Sequence, residues 1–193
     1  MGDMRRFLLP VAAATLALGV AAPAHAERLA FDDPVGDVYA LIGGQYVQQG
    51  SVPNADLVRT VVNHRTRDVR VRATYAHLDP GSAMRLSFLA EFRVEDGNVY
   101  TVHVTTNDQL RHVRVRIELL GSSGTVRCPG ARATVDPDGS LMKLVVPRAC
   151  LNDPKTVRFR GQAEALSPDQ KYGDSAVDDE PFQAEGTRPI RAG

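Results

Sequence analysis

Tryptophan is absent from the chain, cysteine occurs only twice, and charge is balanced at 23 basic against 23 acidic residues. Each shortage excludes something. Without tryptophan, the flat aromatic platforms on which sugars stack have few sources, and only Tyr39, Tyr46 and Tyr172 fall in loop-like stretches. Two cysteines are too few for a four-thiolate zinc site or a multiply crosslinked miniprotein. Balanced charge argues against nucleic acid or an anionic membrane surface as partner. Beyond residue 26 no apolar run approaches the roughly 20 residues that cross a bilayer. Nor does any stretch there repeat its apolar residues with helical spacing.

What is present begins with a processing signal. Arg5 and Arg6 precede an apolar run from Phe7 to Ala22, and Ala24-His25-Ala26 places small residues before a cleavage point. This is the pattern of a secretory signal peptide over residues 1–26. The expectation is a secreted, extracellular protein with no membrane attachment after cleavage. It would retain 193 − 26 = 167 residues and a formal charge of 21 − 22 = −1. That length suits one domain with a core it can bury unaided. In an oxidising compartment Cys128 and Cys150 read as a disulfide, because neither a metal nor a catalytic thiol has a third partner at suitable spacing.

Apolar and polar residues then alternate one by one. Val69, Val71, Ala73 and Tyr75 keep odd positions; Leu86, Phe88, Ala90, Phe92 and Val94 keep even ones, as do Tyr100, Val102 and Val104. Val113, Val115, Ile117 and Leu119 return to odd numbers, and Val157 and Phe159 continue the pattern. Alternation over so many segments predicts an all-β antiparallel sandwich across residues 27–166, each sheet burying one face. Val35–Ala40 reads as a short first strand, 43–54 as a loop, and 167–193 as an irregular or partly disordered C-terminal segment.

Register follows from parity, since opposed residues must share a face. The strands around Glu95-Asp96-Gly97-Asn98 both bury even positions, so the loop between them is odd, with Asp96-Gly97-Asn98 and a glycine bulge expected. The next hairpin joins even to odd and needs an even loop. Asn107 to Leu110 would pair Val104 with Val113. Asp136-Pro137-Asp138-Gly139 is a turn, and the two cysteines are expected to clamp the open end of its hairpin.

Three segments together carry a likeness: Asp33-Pro34-Val35-Gly36-Asp37-Val38, then Asn63-His64 running into Val69-Arg70-Val71-Arg72, then Val146-Pro147-Arg148-Ala149-Cys150-Leu151-Asn152-Asp153-Pro154. The chain resembles a group of uncharacterised secreted proteins of high-GC Gram-positive bacteria, with Asn152-Asp153 standing where that group usually has glycine. The resemblance covers roughly residues 31–160. It implies a jelly-roll-like sandwich similar to DOMON and carbohydrate-binding domains, and it implies no activity.

Asp32, Asp33 and Asp37 around Gly36 form a candidate calcium site, because calcium takes six to eight hard oxygens and a glycine lets the chain wrap an ion. Asp178, with Asp174, Asp179 and Glu180, would add ligands if the C-terminal segment returned beside the first strand. A turn with a solvated acidic tail is the plainer reading of the same residues. Arg70, Arg72, Arg114 and Arg116, with Arg158 and Arg160, occupy polar strand faces; on neighbouring strands they would form a basic ribbon for an anionic glycan or phosphate polymer. A solvated sheet face is the alternative.

His64, His77, His103 and His112 fall at strand ends or polar positions without metal spacing and read as surface residues. A haem held by Met84 or Met142 with His77 or His103 is a further alternative. Gly121-Ser122-Ser123-Gly124 lacks the spacing of a nucleophile elbow, and Glu91 and Glu118 have nothing in the sequence to pair them. The expected function is a non-catalytic binding or interaction module whose partner is an extracellular polymer or protein. A calcium-stabilised structural domain comes next, and a hydrolase last.

Overall fold

The structure, a computed structural model, describes residues 26–177 and 186–193. The expected signal peptide, apart from Ala26, and Asp178, Asp179 and Glu180 therefore lie outside the described residues. Two antiparallel sheets pack face to face. The smaller runs in the order β1 (Glu27–Asp32), β4 (Leu57–His64), β5 (Asp68–Tyr75), β10 (Leu141–Pro147) and β9 (Arg132–Asp136). The larger runs β3 (Gln45–Gly50), β2 (Val38–Ile42), β12 (Lys171–Ser175), β11 (Thr156–Leu166), β6 (Arg85–Val94), β7 (Val99–Thr105) and β8 (Arg114–Leu119), with β13 (Ile190–Arg191) pairing β11. The chain passes between the sheets five times, so no half of it holds a core alone.

Alternation does what the sequence predicts. Val69, Val71, Ala73 and Tyr75 point inward from β5, and Phe88, Ala90, Phe92, Val102, Val104 and Ile117 face them from the larger sheet. At the centre Phe92 and Phe159 sit opposite one another across β6 and β11, ring centroids 5.7 Å apart. Gly161, two residues along the same inner face, makes room for that pair. A Cβ there would stand 2.6 Å from Phe159 Cζ and 3.0 Å from Ala176 Cβ. Gly161→Ala should therefore destabilise the domain by about 1–3 kcal/mol through overpacking, despite alanine's lower backbone entropy. Thermal unfolding reads the change, and an unchanged or raised Tm would show that the Phe159 ring gives way freely.

The hairpins keep their predicted parity and shift in register. Val94 and Asn98 close a three-residue loop, Glu95-Asp96-Gly97, with Gly97 at φ +88°. The loop is odd with a glycine bulge, as expected, but lies one residue earlier than Asp96-Gly97-Asn98. In the following hairpin Val104 opposes Val115, not Val113. The loop is longer because Leu110 turns into the core at 3% exposure, and the Asn107 side chain caps Arg111 N–H at 2.6 Å. The disulfide forms, Cα–Cα 5.5 Å, at the open end of the β9–β10 hairpin, with Cys150 in a 3-10 turn over Arg148–Leu151.

Three boundaries are corrected. The first strand is β1, and the stretch beginning at Val35 becomes strand only from Val38. The loop expected over 43–54 contains β3, because Gly43-Gly44, both at positive φ, make a two-residue turn between Ile42 and Gln45. The segment from 167 is not irregular where described. β12 pairs with both β11 and β2, and β13 returns to β11. Its strands escape an alternation test because what they bury is largely Gly173, Asp174 and Ser175.

Candidate functional site

Two sets of side chains lie outside the apolar core. The first covers the outer face of the larger sheet. Because β6, β7, β8 and β11 bury one parity, the other parity turns Arg85 and Arg93, His103, Arg114 and Arg116, and Arg158 and Arg160 to solvent, with Glu91, Glu118 and Glu164 among them. Open depressions run along this face. One of about 410 Å³ is lined by Glu91, Arg93, Arg158 and Arg160 beside Gly186; another of about 410 Å³ lies between Arg85, Asn107, His112 and Arg114; a third, about 260 Å³, joins His103, Arg114 and Arg116.

Three facts describe the charge on this face. Arg93 and Arg158 stand directly opposite one another across β6 and β11, a like-charge pairing that costs stability in an isolated sheet. Arg116 and Glu118 form an ion pair, and Arg160 reaches Glu91 at 3.8 Å. Arg85, Arg93 and Arg114 enter no ion pair among the described residues. The expected ribbon is thereby half corrected. Arg114 and Arg116 share a sheet face with Arg158 and Arg160, separated by β6 and β7. Arg70 and Arg72 belong to β5, in the other sheet, and face the opposite side of the molecule. Arg70 is taken up by Asp68 through two hydrogen bonds of 2.8 and 3.0 Å. Arg85 and Arg93 complete the face; their polar-parity positions were the only signal the sequence offered.

The second set is a knot of carboxylates where β1 leaves the smaller sheet for β2. Asp33, Asp37 and Asp174 each bring one carboxylate oxygen to within 4.8 Å of the others. Asp33 Oδ2 and Asp37 Oδ1 are shut from solvent. Asp174, on β12, is 3% exposed and accepts a hydrogen bond from Leu57 N–H at 2.7 Å. Asp56, fully buried, accepts from Gly36 N–H at 3.1 Å and so holds the intervening turn, whose Gly36 lies at φ +86°. Burial pushes the Asp174 pKa up to about 7, with the charges of Asp37 and Asp56 adding to the rise against the N–H groups of Leu57 and Ser175. Tyr75, paired with Leu57 across β4 and β5, buries a hydroxyl that has no hydrogen-bond partner among the described residues. Its pKa is raised, by burial first and by Asp174 second.

Two of the four expected calcium ligands, Asp33 and Asp37, are in this knot. Asp32 is not: strand alternation turns it outward to an exposed ion pair with Arg59. Asp178 lies outside the described residues, while Asp174, one residue past the two that pair with β2 and opposite Ala163 of β11, takes the inner position. Asp56 had no motif to mark it.

Other expectations fall elsewhere. Met142 is core and His103 is on an outer face, which separates that haem pair; Met84 packs beside the small cluster of Val38, while His77 is exposed. His64 is a correction, being fully buried with Nδ1 2.9 Å from the Ile190 carbonyl, and burial lowers its pKa. Glu91 and Glu118 occupy one cross-strand row through Thr101, about 10 Å apart at two strand spacings, and each is committed to an arginine. Among known proteins, no family model, no curated protein and no solved structure matches the chain.

Proposed function

We propose that the chain is a secreted, non-catalytic binding module whose ligand is an anionic extracellular polymer held on the outer face of the larger sheet. The observation that carries the reading is the Arg93–Arg158 pair, two like charges placed face to face at one end of a line of arginine-lined depressions. A carboxylate, sulfate or phosphate group between two guanidinium forks offsets their repulsion and makes charge-assisted hydrogen bonds to both. The length of the face suits a chain with repeated charges rather than a single small anion. The chain's overall neutrality is consistent with this: attraction is confined to one face, with no long-range basic field to recruit every polyanion. Export rests on the pattern from Arg5 to Ala26 and accords with the Cys128–Cys150 bond.

The test uses immobilised polygalacturonate and polyphosphate, with a neutral glucan as control. Binding is expected to one of the polyanions, to weaken as salt rises, and to fall by at least about tenfold in the Arg93→Ala/Arg158→Ala double variant. Arg70→Ala/Arg72→Ala, on the other side of the molecule, should bind as the parent does. Equal retention on the glucan, or an unaffected Arg93/Arg158 variant, overturns the proposal.

A calcium-stabilised domain is the second reading, favoured by the convergence of Asp33, Asp37 and Asp174. Oxygens that share one calcium at 2.3–2.6 Å lie no more than about 5 Å apart, and these three meet that limit.

A further inference from the structure

The larger sheet is wider than the smaller one, and its edge strand β3 extends past the core. Every residue of β3 except Gly50 is exposed, on both faces of the sheet. Leu41, paired with Tyr46 across the hairpin, is 53% exposed on one side; Ile42 and Val47 are 50% and 40% exposed on the other. Among the described residues no strand pairs with the outward N–H and C=O groups of β3. Exposed edges are ordinarily protected by lysine, proline or a bulge. Here the register shift against β2 sits only at the end of the strand, between Gln48 and Gly50, and no charged residue occurs anywhere between Asp37 and Asp56.

We infer that β3 is a self-association edge that pairs antiparallel with β3 of a second copy, joining two larger sheets into one across a two-fold axis. Three observations select this occupant. Apolar side chains are uncovered on both faces, and only an added strand gives neighbours to both; a flat partner or a lipid surface would cover one. The segment carries no charge, so two identical strands meet without repulsion. The opposite edge, β8, carries Arg114 and Arg116, which disfavours head-to-tail addition of β3 to β8 and closes the assembly at two. Opposed residues must share a face, so a register centred on Val47 sets Val47 against Val47 and Tyr46 against Gln48.

The contact is short, about 20 Å of strand, and smaller than the roughly 800 Å² per partner of a standard interface. A dimer of micromolar strength is therefore expected. The two-fold axis stands perpendicular to the sheet, so both arginine faces look the same way and would present a doubled site to one polymer chain.

The experiment is sedimentation of the mature chain, without polymer, between about 1 μM and about 500 μM, a range bracketing micromolar association. Parent protein should shift from monomer to dimer across it. Val47→Lys and Val47→Asp, each placing like charges at the axis, should stay monomeric, and an equimolar mixture of the two should recover the dimer. Recovery on mixing cannot come from misfolded variants. A parent that stays monomeric throughout, or that grows past the dimer, overturns the inference, as does a mixture that fails to associate. The outcome is separable from polymer binding, since monomeric Val47→Lys keeps its arginine face and its affinity for a short oligomer.

Discussion

Asp174→Asn is expected to raise the stability of the metal-free domain at pH 8 by about 4 kcal/mol and to leave it nearly unchanged near pH 4. The magnitude follows from a folded-state pKa of about 7 against an ordinary carboxyl value of 3.8, at about 1.4 kcal/mol for each pKa unit. The direction follows from which state holds the proton. Between those two values the unfolded chain has released it while the folded chain keeps it, so this residue's contribution to stability falls as pH rises, and above about pH 7 the whole cost is present. Asparagine removes the charge and keeps an oxygen to accept Leu57 N–H. At 2–4 °C for each kcal/mol in a domain of this size, the gap in Tm at pH 8 is on the order of 10 °C. Other titrating groups complicate the parent's own curve. His64, whose pKa is lowered, contributes stability that is lost on acidification through the same range, and Glu27, Asp68 and Glu95 lose theirs lower still. These contributions cancel in the difference between parent and variant, which is why the comparison, not either melt, is the measurement. A gap that stays constant from pH 4 to pH 8 would sink the argument.

The same knot decides between the two readings of the aspartates. A cation among Asp33, Asp37 and Asp174 offsets the charge that burial penalises. Millimolar calcium should then raise the parent's Tm at pH 8 in the direction that Asp174→Asn does without it, and add little to the variant. If calcium leaves both melts alone, the knot is a pH-sensitive packing feature at the root of β2, and the second reading fails.

How far these features could be read in the sequence depended on what each residue packs against. Inward parity on β5, β6, β7 and β11 was legible because large β-branched and aromatic side chains mark one face and polar residues the other, arginines on β5, β6 and β11 and Thr101, His103 and Thr105 on β7. Strand pairing was legible to a parity and no further. Whether Val104 meets Val113 or Val115 depends on Leu110 turning inward, a tertiary choice that no alternation rule contains. β12 was illegible because the groups it buries are Gly173, Asp174 and Ser175, which read as a loop until Leu57 N–H is seen to bind the aspartate. The carboxylate knot was half visible for the same reason: Asp33 and Asp37 stand in a recognisable turn, but Asp56 and Asp174 reach it only through pairing between distant strands. The arginine face needed the sheet order. Arg70 and Arg114 have the same look in the sequence and lie on opposite sides of the molecule.

Removing the disulfide with Cys128→Ala/Cys150→Ala should cost about 3 kcal/mol, the entropy of closing a loop of this length in the unfolded chain, and lower Tm by roughly 10 °C. The loss should not be spread evenly. The Cys150 side is held independently, because Arg148 donates to the carbonyls of Thr66, Asp153 and Pro154 at 2.7–2.9 Å and Leu151 is fully buried. The Cys128 side is held less firmly, since residues 121–125 are exposed and the segment is tied back by the bridge between Thr125 and Glu118, the Val126 N–H to Ile117 carbonyl bond at 2.8 Å and the packing of Val126 against the core. Hydrogen exchange should therefore quicken in residues 121–131 and along β8, while β5, β6 and β11 keep the protection their central places provide. Because β8 carries Arg114 and Arg116, polymer affinity should weaken by a few-fold in the same variant, less than on loss of the Arg93–Arg158 pair. Uniformly faster exchange would instead mean that the bond acts on the whole sandwich, and an unchanged melt would mean that the crossover between the sheets is held by contacts other than the two sulfurs.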